Sequence, residues 1–152
     1  MMRGRPDGCL GRDSLLADCS GVQCGSGGPF LKILIIDDDQ MVRIVCSGML
    51  QLLTHETEVC ESGPDALQRL AEPETRFDLL LLDDAMPEMS GPETLALLAS
   101  RGIRIPVIIC SGQPVTLNGY CPVPGYDPVG QLTKPFSMLT LRTLLDDLQS
   151  AT

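Results

Sequence analysis

The chain has 152 residues, 43% apolar and 20% charged, with a formal net charge of −9. That length suits one domain, or one domain with a tail, with a core that buries about two thirds of the unfolded surface. The acidic excess repels a phosphate backbone, so direct nucleic-acid binding is not expected. No apolar run approaches a membrane span, and no apolar stretch follows Arg3 and Arg5 as in a secretory signal.

The first thirty residues hold seven of the fifteen glycines and show no sustained periodicity. They balance Arg3, Arg5 and Arg12 against Asp7, Asp13 and Asp18, so the whole acidic excess lies beyond them. Residues 1–30 read as a flexible tail. From residue 31 an alternating pattern sets in. Leu31 to Ile36 is a buried strand of β-branched and apolar residues. Asp39 caps a helix running to about Leu53, with Met41, Val42, Val45, Met49, Leu52 and Leu53 as its apolar side. Glu56 to Cys60 is a weaker strand, and Pro64 opens a helix to about Ala71. Phe77 to Leu82 is a strand, apolar but for Asp78, ending at Asp83. Ser90 caps a third helix, with Pro92 and Glu93 in its first turn. Ile105 to Cys110 and Val129 to Thr133 are strands ending at Ser111 and Lys134, and Ser137 caps a last, leucine-rich helix.

Alternating strands and helices predict an α/β fold, a doubly wound parallel sheet of five strands covered on both faces. In such sheets chemistry gathers at the carboxyl ends of the strands. Those ends here are Asp37 and Asp38, Asp83, Ser111 and Lys134. Crowded carboxylates call for a hard divalent cation with oxygen ligands, such as Mg²⁺. A cation, an ammonium and a hydroxyl together form a cradle for a phosphoryl group. A carboxylate within it can act as nucleophile and form an acyl phosphate, and Asp83, on the most apolar strand, is the best candidate. Taken singly, each residue has an ordinary explanation: a strand-end turn, a loop acid, a solvated lysine. Their joint placement at four strand ends does not.

The seven cysteines are odd in number and contain no Cys-x-x-Cys pair. That argues against a disulfide framework and an ordinary zinc site, and for a reduced, cytoplasmic protein. Cys46, Cys60 and Cys110 read as small buried hydrophobes. Cys9, Cys19 and Cys24 lie in the tail.

Residues 31–149 resemble the receiver domain of bacterial two-component response regulators. The matching pieces are Lys32-Ile-Leu-Ile-Ile-Asp-Asp-Asp39, Phe77-Asp-Leu-Leu-Leu-Leu-Asp-Asp-Ala-Met-Pro-Glu-Met-Ser-Gly91, Pro106-Val-Ile-Ile-Cys-Ser-Gly112 and Leu132-Thr-Lys-Pro-Phe136. The resemblance implies a receiver domain over 31–150 with the flavodoxin-like strand order 2-1-3-4-5. It implies Asp83 as phosphoacceptor, Asp38 as a direct Mg²⁺ ligand, Asp37 as one acting largely through water, and the Ala85 carbonyl completing the metal shell. Ser111 is then the sensor of the phosphoryl group and Lys134 its ion-pair partner. The implied donors are a sensor histidine kinase or a histidine phosphotransfer protein, and small acyl phosphates for some members. The domain is a signalling switch rather than an enzyme. With the chain ending at Thr152, a stand-alone receiver is expected, acting as a phosphate shuttle or sink or through a downstream protein.

Two features depart from that pattern. Pro114, Pro122, Pro124 and Pro128, with Gly119 and Gly125, forbid a long fourth helix, which is expected to be short or absent. Gln131 stands where the family carries a switch aromatic three positions before the lysine. Tyr120 and Tyr126 read as ordinary exposed loop tyrosines. Two rival readings fit part of the sequence: a receiver-like interaction module that is never phosphorylated, and a small phosphatase with Asp37 as nucleophile. The only histidine, His55, reads as a turn residue rather than a phosphohistidine donor.

Overall fold

The computed structural model describes residues 30–150. The expected tail, with Cys9, Cys19 and Cys24, lies outside them apart from Phe30. Nine elements follow in chain order: β1 Lys32–Ile36, α1 Gln40–Leu52, β2 Glu56–Cys60, α2 Gly63–Leu70, β3 Leu79–Asp83, α3 Gly91–Ser100, β4 Val107–Ser111, β5 Gly130–Thr133 and α4 Met138–Ser150. The strands form one parallel sheet in the order β2-β1-β3-β4-β5. This is the doubly wound order the sequence implies. The switch point lies between β1 and β3, where the chain first winds one way and then the other.

Period-two alternation divides the core. Ile33, Ile35, Leu79, Leu81 and Ile108 pack on one face against Cys46 and Leu50 of α1 and Leu141 and Leu145 of α4. Leu34, Ile36, Leu80, Leu82, Val107 and Ile109 pack on the other against Ala66, Leu67, Leu95 and Leu98 of α2 and α3. Each fully buried leucine or isoleucine contributes on the order of 1.5–3 kcal/mol relative to exposure. Three of the four helix starts follow the cap residues named for them, Asp39, Ser90 and Ser137, while α2 is capped by Ser62, ahead of the Pro64 expected to open it. Asp39 accepts hydrogen bonds from the amides of Met41 and Val42, Ser62 from Asp65, and Ser137 from Thr140. Ser90 and Glu93 form a reciprocal capping box.

The buried side of α1 differs from expectation. It centres on Cys46 and Leu50, flanked by Val42, Met49 and Leu53, while Met41, Val45 and Leu52 are 65%, 46% and 73% exposed. Apolar residues occupy a wider arc of this helix than the sheet can cover, so periodicity alone misplaces the centre of the face.

No helix forms between β4 and β5. Residues 112–129 run through turns, with Gly119 and Gly125 at positive φ of 79° and 90°. The segment is nonetheless folded onto the sheet. Cys121 and Tyr126 are buried in the same cluster as Leu98 and Val107. The Tyr126 hydroxyl donates to the Ile105 carbonyl at 2.6 Å, and the Arg104 guanidinium lies over its ring and donates to Gly125. Both tyrosines are therefore anchors, not exposed loop residues. Gln131 has a constructive role of its own. Its side-chain amide accepts from the Val115 amide at 2.8 Å and donates to the Val115 carbonyl at 2.9 Å, clamping the segment to β5.

His55 lies just before β2, at the amino end of the strands, and its Nδ1 accepts from the Leu31 amide at 3.1 Å. Burial lowers its pKa below the ordinary 6.5, against an opposing effect of Asp146. The unfolded chain then binds a proton more strongly than the folded one. The stabilisation from His55 is full above the ordinary histidine value and fades as pH falls below it. His55→Ala should accordingly cost stability at about pH 7 and progressively less toward about pH 5, as urea melts of both proteins would show. A cost independent of pH would contradict this.

Candidate functional site

The sheet register brings the strand-end residues together. Ile36 pairs with Leu82, so Asp37 and Asp83 stand level on neighbouring strands. Ser111 pairs with Thr133, which sets Lys134 one residue beyond on β5. The alternation that turns Ile35 and Leu81 toward α1 and α4 turns Asp37 and Asp83 to the same side.

Both carboxylates are buried, Asp37 2% and Asp83 6% exposed. Lys134 Nζ reaches Asp37 Oδ2 at 2.8 Å and Asp83 Oδ1 at 3.0 Å. The other Asp37 oxygen accepts from the Asp39 amide at 2.9 Å, and the Asp37 carbonyl accepts from Arg43 at 2.7 Å. Asp38 is exposed at the rim. Carboxylate oxygens of Asp37, Asp38 and Asp83 lie within 4.8 Å of one another. A hard divalent cation takes oxygen ligands at about 2.0–2.6 Å, so three oxygens this close can share one. One ammonium against three carboxylates leaves two negative charges, which one divalent cation balances. The donor set fits the expected cation.

The electrostatics follow from burial. Asp83 is pushed up to about 6, first by loss of hydration, with the Asp37 charge adding to it and the Lys134 hydrogen bond opposing. For Lys134 burial favours the neutral form, but hydrogen bonds to Asp37 and Asp83 outweigh it and hold the ammonium charged above its ordinary range. Burial likewise raises the Cys46 and Cys60 thiols to about 11 each, and both cysteines are free, as inert packing residues should be.

Ser111 is buried at the same edge, and its amide-linked strand is fixed by the Lys134 N–H donating to its carbonyl at 2.7 Å. Its hydroxyl, however, donates to the Gln113 carbonyl rather than joining the carboxylates. Ala85 is exposed, two residues past Asp83. One contact escaped the sequence reading: the Tyr120 hydroxyl donates to Asp84, the residue after Asp83. Gly91 makes room for it, since a Cβ there would overlap that hydroxyl and lie 3.2 Å from the Asp84 Cα. A glycine directly after a capping serine was the available signal.

The family model for the response regulator receiver domain matches residues 33–146. The chain belongs to this family. Among curated proteins, the receiver is 33% identical over 82 residues to a rice two-component response regulator, ORR42, covering 54% of this chain and 61% of that one. It is 30% identical over 132 residues to the response regulator MprA of Mycobacterium ulcerans, covering 80% of this chain and 55% of that one. The chain thus spans somewhat over half the length of these relatives, which come from plants and bacteria alike. Among solved structures, a Francisella response regulator receiver domain superposes with a TM-score of 0.66 at 27% identity, covering 80% of this chain and 98% of that one. The chemotaxis response regulator CheY4 of Vibrio cholerae gives 0.67 at 27%, covering 79% and 99%. Residues 33–146 form a receiver domain homologous to those of two-component response regulators. Among the described residues no helix is long and apolar enough to cross a membrane.

The raised Asp83 pKa carries a stability consequence. A carboxyl whose folded pKa lies above its unfolded value stabilises fully below the unfolded value, and this is lost as pH rises through about 6. Ionised Asp83 therefore costs the metal-free receiver stability at neutral pH. Asp83→Asn should raise its stability by about 1–3 kcal/mol at about pH 7 without divalent cations, with the gain vanishing below about pH 4. Thermal melts across pH test this; a mutant no more stable than wild type at neutral pH would refute it.

Proposed function

We propose that Asp83 is the phosphoacceptor of a two-component phosphotransfer reaction, in a receiver unit spanning residues 31–150. The observation that carries this is the Lys134 ammonium held between the buried carboxylates of Asp37 and Asp83. Both Asp37 oxygens are engaged, one by Lys134 and one by the Asp39 amide. Asp83 has the freer carboxylate and is the better nucleophile.

The donor is a phosphohistidine of a sensor histidine kinase or histidine phosphotransfer protein. An Asp83 oxygen attacks phosphorus, the P–N bond breaks, and its electron pair leaves on the imidazole nitrogen. A P–O bond forms and yields an acyl phosphate. Asp37, Asp38, Asp83 and the Ala85 carbonyl would hold Mg²⁺, which would supply positive charge against the phosphoryl oxygens. Lys134 then leaves Asp83 for a phosphoryl oxygen while retaining Asp37. The Ser111 hydroxyl must leave Gln113 to donate to the phosphoryl group. That exchange ties the site to the segment clamped by Gln131. Asp83 is the single nucleophile and takes one phosphoryl group, so labelling is stoichiometric, and slow hydrolysis of the acyl phosphate returns the carboxylate. The buried free thiols suit a reducing compartment.

The rival reading, an interaction module without phosphorylation, draws on the Ser111 hydroxyl being satisfied by Gln113 and on Gln131 replacing the switch aromatic. One experiment separates the two. The chain is incubated with phosphoramidate or acetyl phosphate, with and without Mg²⁺, and weighed intact. One phosphoryl group should be gained only with Mg²⁺ and not by Asp83→Asn. A gain that survives this substitution would place the chemistry elsewhere. No gain, even from a panel of phosphorylated kinases and phosphotransfer proteins, would favour the module.

A further inference from the structure

The segment that replaces the fourth crossover helix delivers one hydroxyl to the residue that follows Asp83. The Tyr120 hydroxyl donates to Asp84 Oδ1. Burial, then the hydrogen bond to Asp84, raise the tyrosine pKa well above its ordinary range, so it remains a donor. Its presentation is fixed on both sides. Asp127 Oδ1 accepts from the Gly119 amide at 3.1 Å and the Cys121 amide at 3.4 Å, and the Tyr120 amide donates to Leu117 at 3.1 Å. Cys121 is 4% exposed.

Asp84 is held as firmly. Its amide donates to the Cys110 carbonyl at 3.0 Å, and its carbonyl accepts from the Gly91 amide at 2.9 Å. Only the side-chain torsions are left for Tyr120 to fix. β3 ends at Asp83, so strand alternation no longer dictates where the next carboxylate lies. Among the described residues the oxygen cluster comprises Asp37, Asp38 and Asp83, and Asp84 stays out of it although it is adjacent in the chain. A fourth carboxylate there would bind a divalent cation more tightly and repel an incoming phosphoryl group.

We infer that Tyr120 is a positioning residue that holds the Asp84 carboxylate out of the acidic site and thereby sets both its cation affinity and its rate of phosphorylation. The phosphorylation half rests on Asp83 being the phosphoacceptor; the cation half does not.

The test is a thermodynamic cycle on the full chain with Tyr120→Phe, Asp84→Asn and the double variant. Mg²⁺ affinity is read by titration calorimetry and phosphorylation rate by intact mass with phosphoramidate. Tyr120→Phe should bind Mg²⁺ roughly three- to tenfold more tightly and be phosphorylated severalfold more slowly. Asp84→Asn should stay within about twofold of wild type in Mg²⁺ affinity, and the double variant should match it. Three results would overturn the inference: an unchanged Mg²⁺ affinity in Tyr120→Phe, the same effect of Tyr120→Phe whether residue 84 is Asp or Asn, or a severalfold change from Asp84→Asn alone. A loss of melting temperature without any change in Mg²⁺ affinity would mark Tyr120 as packing only and also overturn it. If Tyr120→Phe does not fold, the Asp84→Asn titration decides. Should wild type take no phosphate, the proposed function fails, while the Mg²⁺ titrations still judge this inference.

Discussion

Two buried carboxylates level with one another on adjacent strands repel, and the structure tolerates them because the Lys134 ammonium lies between them. Breaking such an arrangement by removing its cation leaves uncompensated buried charge, which costs several kcal/mol in comparable cases. That constraint reaches far into the fold. Lys134 directly follows β5, so β5 must pair with β4 in one register, and the hydrogen bond that the Lys134 amide donates to the Ser111 carbonyl secures it. β5 in turn needs the preceding segment to return to the sheet after nearly twenty residues without a helix. The Gln131–Val115 clamp and the Tyr126–Ile105 bond perform that return.

The two faces of the sheet divide the work. Asp37, Asp83 and Lys134 belong to the α1 and α4 side, where the charges are concentrated. Tyr120, Tyr126 and Cys121 belong to the α2 and α3 side, where the irregular segment is anchored. The site touches that segment at two points, Ser111 to Gln113 and Asp84 to Tyr120. A rotating aromatic at position 131 is not available to link them. The Gln131 side-chain amide bonds to the Val115 backbone there instead.

Much of this was legible from residue order. The strands announce themselves as short apolar runs closed by Asp37, Asp83, Ser111 and Lys134, and parallel pairing then forces those closing residues to one edge. The helix caps at Asp39, Ser62, Ser90 and Ser137 are local chemistry and read directly, three of them at the positions the sequence marks. The buried arc of α1 was not legible, because Met41, Ile44, Val45 and Leu52 are as apolar as the residues that do pack, and only the sheet's position selects among them. The irregular segment was half legible. Its prolines and glycines rule out a helix, but nothing local says that Tyr126 finds the Ile105 carbonyl or that Tyr120 finds Asp84. Those contacts join residues 21 and 36 positions apart, and tertiary packing alone creates them.

The site is also where the fold departs from its own best stability. At this edge an acid with a pKa near 6 is kept among like charges in a poorly hydrated place. The same desolvation that disfavours the ionised carboxylate strengthens its attraction for a divalent cation and for Lys134, because both replace water that the fold has removed. A divalent cation bound there would lift the penalty on ionising Asp83. That penalty has one physical cause, the burial of a carboxylate at the end of a strand whose other four residues are all leucine.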